Sequence, residues 1–285
     1  MHRLKREWYK IPLICLVKLT SMLIFQAVIG GVILGRLLQL LPGEPPDPAF
    51  LVRISIFSVI ATSLFTIAYL EIGDNMSING AVKRALIFGM FFFFSNYLPQ
   101  SMGLYGAGGQ ELIMSFSARD AIFDFFSYLV TFLFMGWMFR GADNAQRRVP
   151  KQFVVKAMLS GGILFPALMV VSTQAIGFLF PSQKIAEALR IDPDFLWSFY
   201  CSFYLLFILT GVLVPLLYYY SDFNRAVANK EIWFALRYTL LLWIPIVFAM
   251  VAFGIDVLPC LVFSAESVAV FMVLMKVCGR ILDPR

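Results

Sequence analysis

Pro12-Leu13-Ile14-Cys15-Leu16-Val17-Lys18 has a counterpart far down the chain in Pro150-Lys151-Gln152-Phe153-Val154-Val155-Lys156. In both phrases a proline stands six residues before a lysine. From each lysine an apolar run of about two dozen residues leads to another proline, Pro42 or Pro181. Each run then reaches a matching phrase, Asp47-Pro48-Ala49-Phe50-Leu51 against Asp192-Pro193-Asp194-Phe195-Leu196. Further on, Asp74 answers Asp222, Pro99 answers Pro245 and Arg140 answers Arg280. The order and near-constant offset of these anchors read as a tandem duplication, with repeats over 12–140 and 150–280 of one integral membrane domain, 1–285. Internal duplication in an apolar chain builds a structure around a pseudo-symmetry axis, where ligand sites often lie.

Composition places that duplication in a membrane. Of 285 residues, 60% are hydrophobic and 14% charged, against roughly 25% charged in soluble domains. Thirty phenylalanines are more than a soluble interior of this size can hide. The net charge of +6 lies on residues that flank apolar spans rather than on a solvated basic face, so no nucleic-acid partner is expected. Cys15, Cys201, Cys260 and Cys278 form no Cys-x-x-Cys pair, and the only histidine is His2. That leaves no metal set, no cofactor motif and no Ser-His chemistry. His-Glu-x-x-His, Gly-x-Ser-x-Gly and Walker motifs are absent, so the chain is more readily a non-enzyme. The basic N-terminus leads into an apolar run too long for a cleaved signal, which is expected to be retained as the first span.

Apolar runs of about twenty residues place eight spans, near 19–41, 50–70, 85–107, 119–139, 157–180, 195–220, 232–254 and 258–279. Six or seven remain as alternatives, because Pro99 and the nearby glycines blur one boundary and the turn at 254–258 is short. With the N-terminus inside, most of the 23 Lys and Arg fall on the cytoplasmic side. Trp8, Tyr9, Trp137 and Tyr218-Tyr219-Tyr220 then mark inner ends, and Trp197 and Tyr200 an outer one. An even number of spans per repeat makes the repeats parallel. The expected fold is an all-α polytopic membrane protein, with about eight transmembrane helices in two parallel four-helix repeats. Its expected place is the plasma (cell inner) membrane, with both termini cytoplasmic.

Asp124 and Glu266 fall in equivalent spans, sixteen and fourteen residues before Arg140 and Arg280. A carboxylate inside the apolar slab costs roughly 2.5–3.5 kcal/mol, so it normally faces a cavity, a partner or a proton path. Asp120 joins them as a candidate, although beside Arg119 it can also reach the outer headgroups. Asn96, Gln26 and Gln174 are neutral polar groups in apolar spans, able to line a solute path or to bond across helices. Pro99 and Pro245 each stand fifteen residues after a cation, Arg84 and Lys230, and are the helix-kink candidates. Paired interruptions of this kind point to a transporter site. Gly31 and Gly35 form a GxxxG step suited to close packing within the monomer. Two functions stay open. One is a small-solute or lipid transporter with a site between two pseudo-symmetric halves. The other is a non-catalytic subunit that anchors, assembles or protects a larger membrane complex. The lipid bilayer is a partner in both, and partner proteins enter with the second.

Overall fold

The computed structural model describes residues 6–25, 48–97, 110–139, 150–179, 193–221, 229–245 and 257–282. Among these the chain is all-helical, with eight α-helices and no strand. In chain order they are α1 (Ile11–Met22), α2 (Pro48–Ala68), α3 (Ala81–Phe92), α4 (Gln110–Met138), α5 (Lys151–Leu179), α6 (Pro193–Tyr220), α7 (Lys230–Tyr238) and α8 (Val257–Leu282). Helices α2 and α6 both open on the proline of their matched phrase, Pro48 and Pro193, where a fixed φ and a missing N–H do no harm. Helices α3 and α7 each widen into a five-residue π-helical segment, Phe93–Tyr97 and Thr239–Trp243. These two, called below the first and second π segments, begin six residues before a proline, Pro99 and Pro245, whereas a further π segment that ends α2, Tyr69–Gly73, has no proline close after it. The structure finds Pro245 buried in helical backbone, while Pro99 lies outside the described residues.

Several helices begin earlier than the charge-bounded reading of the sequence, which starts the first span at 19, the fourth at 119 and the fifth at 157. The chain is already helical at Ile11, Gln110 and Lys151. The reason is physical. A lysine such as Lys18 ends an apolar run in the sequence, but inside a bundle it can be buried against a partner, and the helix passes straight through it.

Helix α1 packs on α2 and α4, and α3 packs on α4. Helix α5 likewise packs on α6 and α8, and α7 on α8. The two sets of four meet where α6 lies against Phe93–Tyr97 and α2 against Thr239–Trp243, with the two π segments also in contact. Each set has an aromatic centre, Phe65, Phe88, Phe92, Tyr128 and Phe132 in one and Phe165, Tyr238, Trp243 and Phe271 in the other. Glycines set the closest approach. A Cβ on Gly161 of α5 would collide with the carbonyl oxygen of Gly211 on α6, and a Cβ on Gly211 with that of Gly161. Pro215 has no N–H for the Gly211 carbonyl, so that carbonyl, without its helical donor, faces the open side of Gly161.

The outer faces are aliphatic and aromatic. Val155, Leu159, Ile163 and Val171 form an exposed stripe on α5, and Ile163 is 75% exposed. Ile122, Phe126, Val130, Leu133 and Trp137 do the same on α4 at helical spacing. The interior holds polar groups instead, among them Lys18, Arg84, Asn96, Asp124, Thr210 and Glu266. Among the described residues three helices are long and apolar enough to cross a membrane, Trp8–Phe25, Ser55–Gly73 and Lys151–Ser172.

Candidate functional site

Asp124 sits fourteen residues from either end of Gln110–Met138. It is therefore at the midpoint of α4, deeper than the turn or two below the surface that a start at 119 implies. Tyr97, the last residue of the first π segment, donates its hydroxyl to Asp124 Oδ2. Lys18 reaches the next turn of α4 from α1, against Ser127 and Tyr128. Only 3% of Lys18 is exposed. Its Nζ donates to Ser127 Oγ at 2.9 Å and stands 3.6 Å from the centre of the Tyr128 ring. Ser21 Oγ is 2.9 Å from Ser127 Oγ and donates to the Lys18 carbonyl at 2.9 Å. One cation, one carboxylate, three hydroxyls (Tyr97, Ser21 and Ser127) and the Tyr128 ring thus come together from α1, α4 and the π segment after α3. The antiparallel run of α1 and α4 sets this register, because Lys10 at one end donates to the Met138 carbonyl at 2.8 Å.

Glu266 of α8 is buried and accepts a hydrogen bond at Oε1 from Ser172 Oγ of α5. Its side chain thus meets a helix of the last four, while Asp124 meets helices of the first four. Asn96 is fully buried within the first π segment, at the contact with α6 and the second π segment. Its neighbour Ser95 shows what that segment does. Pro99 stands four residues later and has no N–H, so the Ser95 carbonyl lacks its ordinary helical donor. Thr210 Oγ1 of α6 donates to that carbonyl at 2.9 Å and the Tyr238 hydroxyl of α7 at 3.4 Å. The Tyr238 hydroxyl also lies 2.8 Å from Ser95 Oγ. Side chains from the other four-helix set thus supply that carbonyl with donors.

At one end of the bundle the same two sets are joined again. Arg237 Nε is 3.4 Å from Glu71 Oε2, and Ser77 N donates to the Tyr220 carbonyl at 2.8 Å. Met76 and Ser221 form an isolated antiparallel bridge there. Arg84 is fully buried nearby, donating to the Ile78 carbonyl at 3.1 Å and lying 3.7 Å from Asp74 Oδ1.

Gln26, Gly31 and Gly35 lie outside the described residues, as do the side chains of Asp120 and Gln174. Sequence reasoning singled out Asp124 but missed Lys18, Tyr97, Ser127 and Tyr128. Lys18 served there only as a boundary marker. Counting the first span from Trp8, where the apolar helix begins, puts that lysine well inside it. The hydroxyl partners carry no such signal, because their register against Asp124 depends on packing between helices remote in sequence. Among the described residues no group of three or more His, Cys, Asp or Glu is placed to hold a metal ion. Comparison of the chain with protein-family models, curated proteins and solved structures finds no match.

Proposed function

We propose that the chain is a multi-pass membrane protein of two parallel four-helix repeats that carries a small solute or lipid across the cell inner membrane. Both termini then lie in the cytoplasm. The observation that carries this reading is the burial of two charged side chains, Lys18 of α1 and Asp124 at the midpoint of α4, inside the first four helices. Charges inside an apolar slab cost roughly 2.5–3.5 kcal/mol each on insertion scales, and groups kept there at that cost usually serve a solute or ion path. The exposed aliphatic stripes of α4 and α5 support the membrane setting. The helix packing supports the repeats, because α1, α2, α3 and α4 contact one another in the pattern that α5, α6, α7 and α8 use. The π segments that end α3 and α7 support them too, since Phe93 to Thr239, Tyr97 to Trp243 and Pro99 to Pro245 are each 146 residues apart. Exposed Trp8, Tyr9, Trp137 and Trp233 all fall at ends that this topology assigns to the cytoplasmic face.

A second reading, a non-catalytic subunit of a larger membrane complex, draws on the closed character of the interior. Lys18 rests on Ser127, Glu266 on Ser172 and Arg84 on Ile78. The two readings separate in liposomes reconstituted with the purified chain and offered labelled amino acids, sugars, organic acids, nucleosides and phospholipids. A carrier moves at least one of these, and Asp124→Asn slows it tenfold or more, about 1.4 kcal/mol of barrier. If nothing moves and the chain leaves native membranes with a stoichiometric partner, the subunit reading replaces it.

A further inference from the structure

Helices α5 and α8 lie side by side and antiparallel. Cys278 Sγ donates to the Ala157 carbonyl at 3.6 Å, and further along both helices the Phe165 and Phe271 rings are 5.0 Å apart. That register sets Lys156 level with Arg280, Leu159 with Val277 and Ile163 with Val273. All six are exposed. On each helix the three are spaced by three and four residues, so they form one stripe. Helix α6 covers the other flank of α5 at Gly162, and α7 covers the other flank of α8 at Gly279. The two stripes thus make one face, apolar along its length and cationic at one end. Its cations differ from others nearby. Lys276 meets Glu231 at 3.0 Å and Arg237 meets Glu71 at 3.4 Å. Neither Lys156 nor Arg280 has a hydrogen bond or ion pair to a described residue. In the first anchor phrase the matching lysine, Lys18, turns inward to Ser127 instead.

We infer that this face holds one anionic phospholipid, its phosphate between Lys156 and Arg280 and its acyl chains along the two stripes. A phosphodiester offers two free oxygens, one for each cation, and its charge offsets the repulsion between them. Acyl chains suit the rest of the face, because Leu159, Ile163, Val277 and Val273 present only hydrocarbon. A zwitterionic lipid brings the same phosphate with a cation of its own, which cancels much of the attraction. A free phosphate leaves the apolar stripes uncovered. The inference rests on the membrane setting of the proposed function. It puts both cations at the face which that topology assigns to the cytoplasm, where basic residues between helices meet anionic headgroups.

The full chain, extracted in a nonionic detergent and stripped of lipid, is titrated with dioleoylphosphatidylglycerol, dioleoylphosphatidylcholine or glycerol 3-phosphate. Native mass spectrometry counts the adducts. Wild type should take its first phosphatidylglycerol about 25-fold more tightly than phosphatidylcholine, at about fivefold for each cation. Lys156→Gln and Arg280→Gln should each lose about fivefold for phosphatidylglycerol and nothing for phosphatidylcholine. Lys83→Gln, at an exposed lysine of α3 in the other set of four, should match wild type. Equal affinity of wild type for the two lipids overturns the proposal. So does an equal loss in Lys83→Gln, which would make the preference one of net charge alone. Glycerol phosphate bound as tightly as phosphatidylglycerol would mean a free-phosphate site and overturns it too. Should either stripe variant fail to fold, the wild-type comparison of the three ligands still decides. None of these results depends on solute flux. Equal lipid affinities leave the carrier reading in place, and liposomes without flux leave the lipid site in place. A chain that stays dissolved without detergent would instead remove the membrane setting, and both with it.

Discussion

The Ser95 carbonyl is the clearest case of one residue joining the two sets of four helices. It receives Thr210 Oγ1 and the Tyr238 hydroxyl because Pro99 offers it no N–H. Thr210→Val or Tyr238→Phe alone leaves the other donor in place and should cost about 0.6 kcal/mol, the average for such bonds in membranes. The double variant leaves the carbonyl dry and without a side-chain donor, so its cost should exceed the sum and reach about 1–3 kcal/mol. Reversible unfolding in detergent mixtures measures all three, and strict additivity would mean that the two hydroxyls do not share one acceptor. Glu266→Gln preserves an acceptor for Ser172 while removing the charge. Liposomes carrying it should lose uptake with insertion and abundance intact. Uptake indistinguishable from wild type would leave Glu266 a purely structural partner of α5. Both residues stand out in the sequence for different reasons. Glu266 is costly at its position and Pro99 removes a donor, but neither fact says which hydroxyl answers.

At the scale of helices, the sequence was most readable where length and polarity alone decide. Eight apolar runs correspond to eight helices in order, because any segment of that length must satisfy its own backbone in an apolar setting. The positions of their ends were less readable, since a charge such as Lys18 looks the same whether it is solvated or buried against Ser127 and Tyr128. The π segments were not readable at all. A proline announces a defect one turn earlier, but the local strain can be taken up as a kink, a 3₁₀ turn or a widening, and packing chooses among them. The close crossing of α5 and α6 was missed because Gly161 and Gly211 stand in no GxxxG step. Gly161→Leu would drive a side chain into the Gly211 carbonyl, and even Gly161→Ala places a Cβ there. The alanine variant should destabilise the protein by about 1–3 kcal/mol, the usual range for overpacking. Ile163→Ala, at the exposed face of the same helix, should change it much less. Equal losses at the two positions would mean that α5 and α6 do not approach through their glycines.

For the whole molecule the question is whether the two sets of four helices move against each other. Their contacts form two layers, one at the π segments and one at the end where Met76 pairs with Ser221 and Arg237 meets Glu71. Packed interfaces switch between discrete arrangements rather than deform smoothly, so a carrier of this architecture would open one layer while holding the other. The Met76–Ser221 bridge allows a direct trial. Opposed residues of an antiparallel pair have Cβ atoms about 4.5–5.5 Å apart, and small shifts bring them within disulfide range. In a background with the four native cysteines replaced by alanine, Met76→Cys with Ser221→Cys should cross-link under mild oxidation. Because one member of the pair lies before α3 and the other at the end of α6, the bond staples the two sets together at that end alone. Reconstituted protein should then lose uptake on oxidation and regain it on reduction, with each single-cysteine variant unaffected. A cross-linked protein that transports at the wild-type rate would show that this end stays closed throughout, and motion would have to be sought at the π segments. A pair that never cross-links would displace the bridge itself, and with it the only backbone pairing seen between the two sets among the described residues.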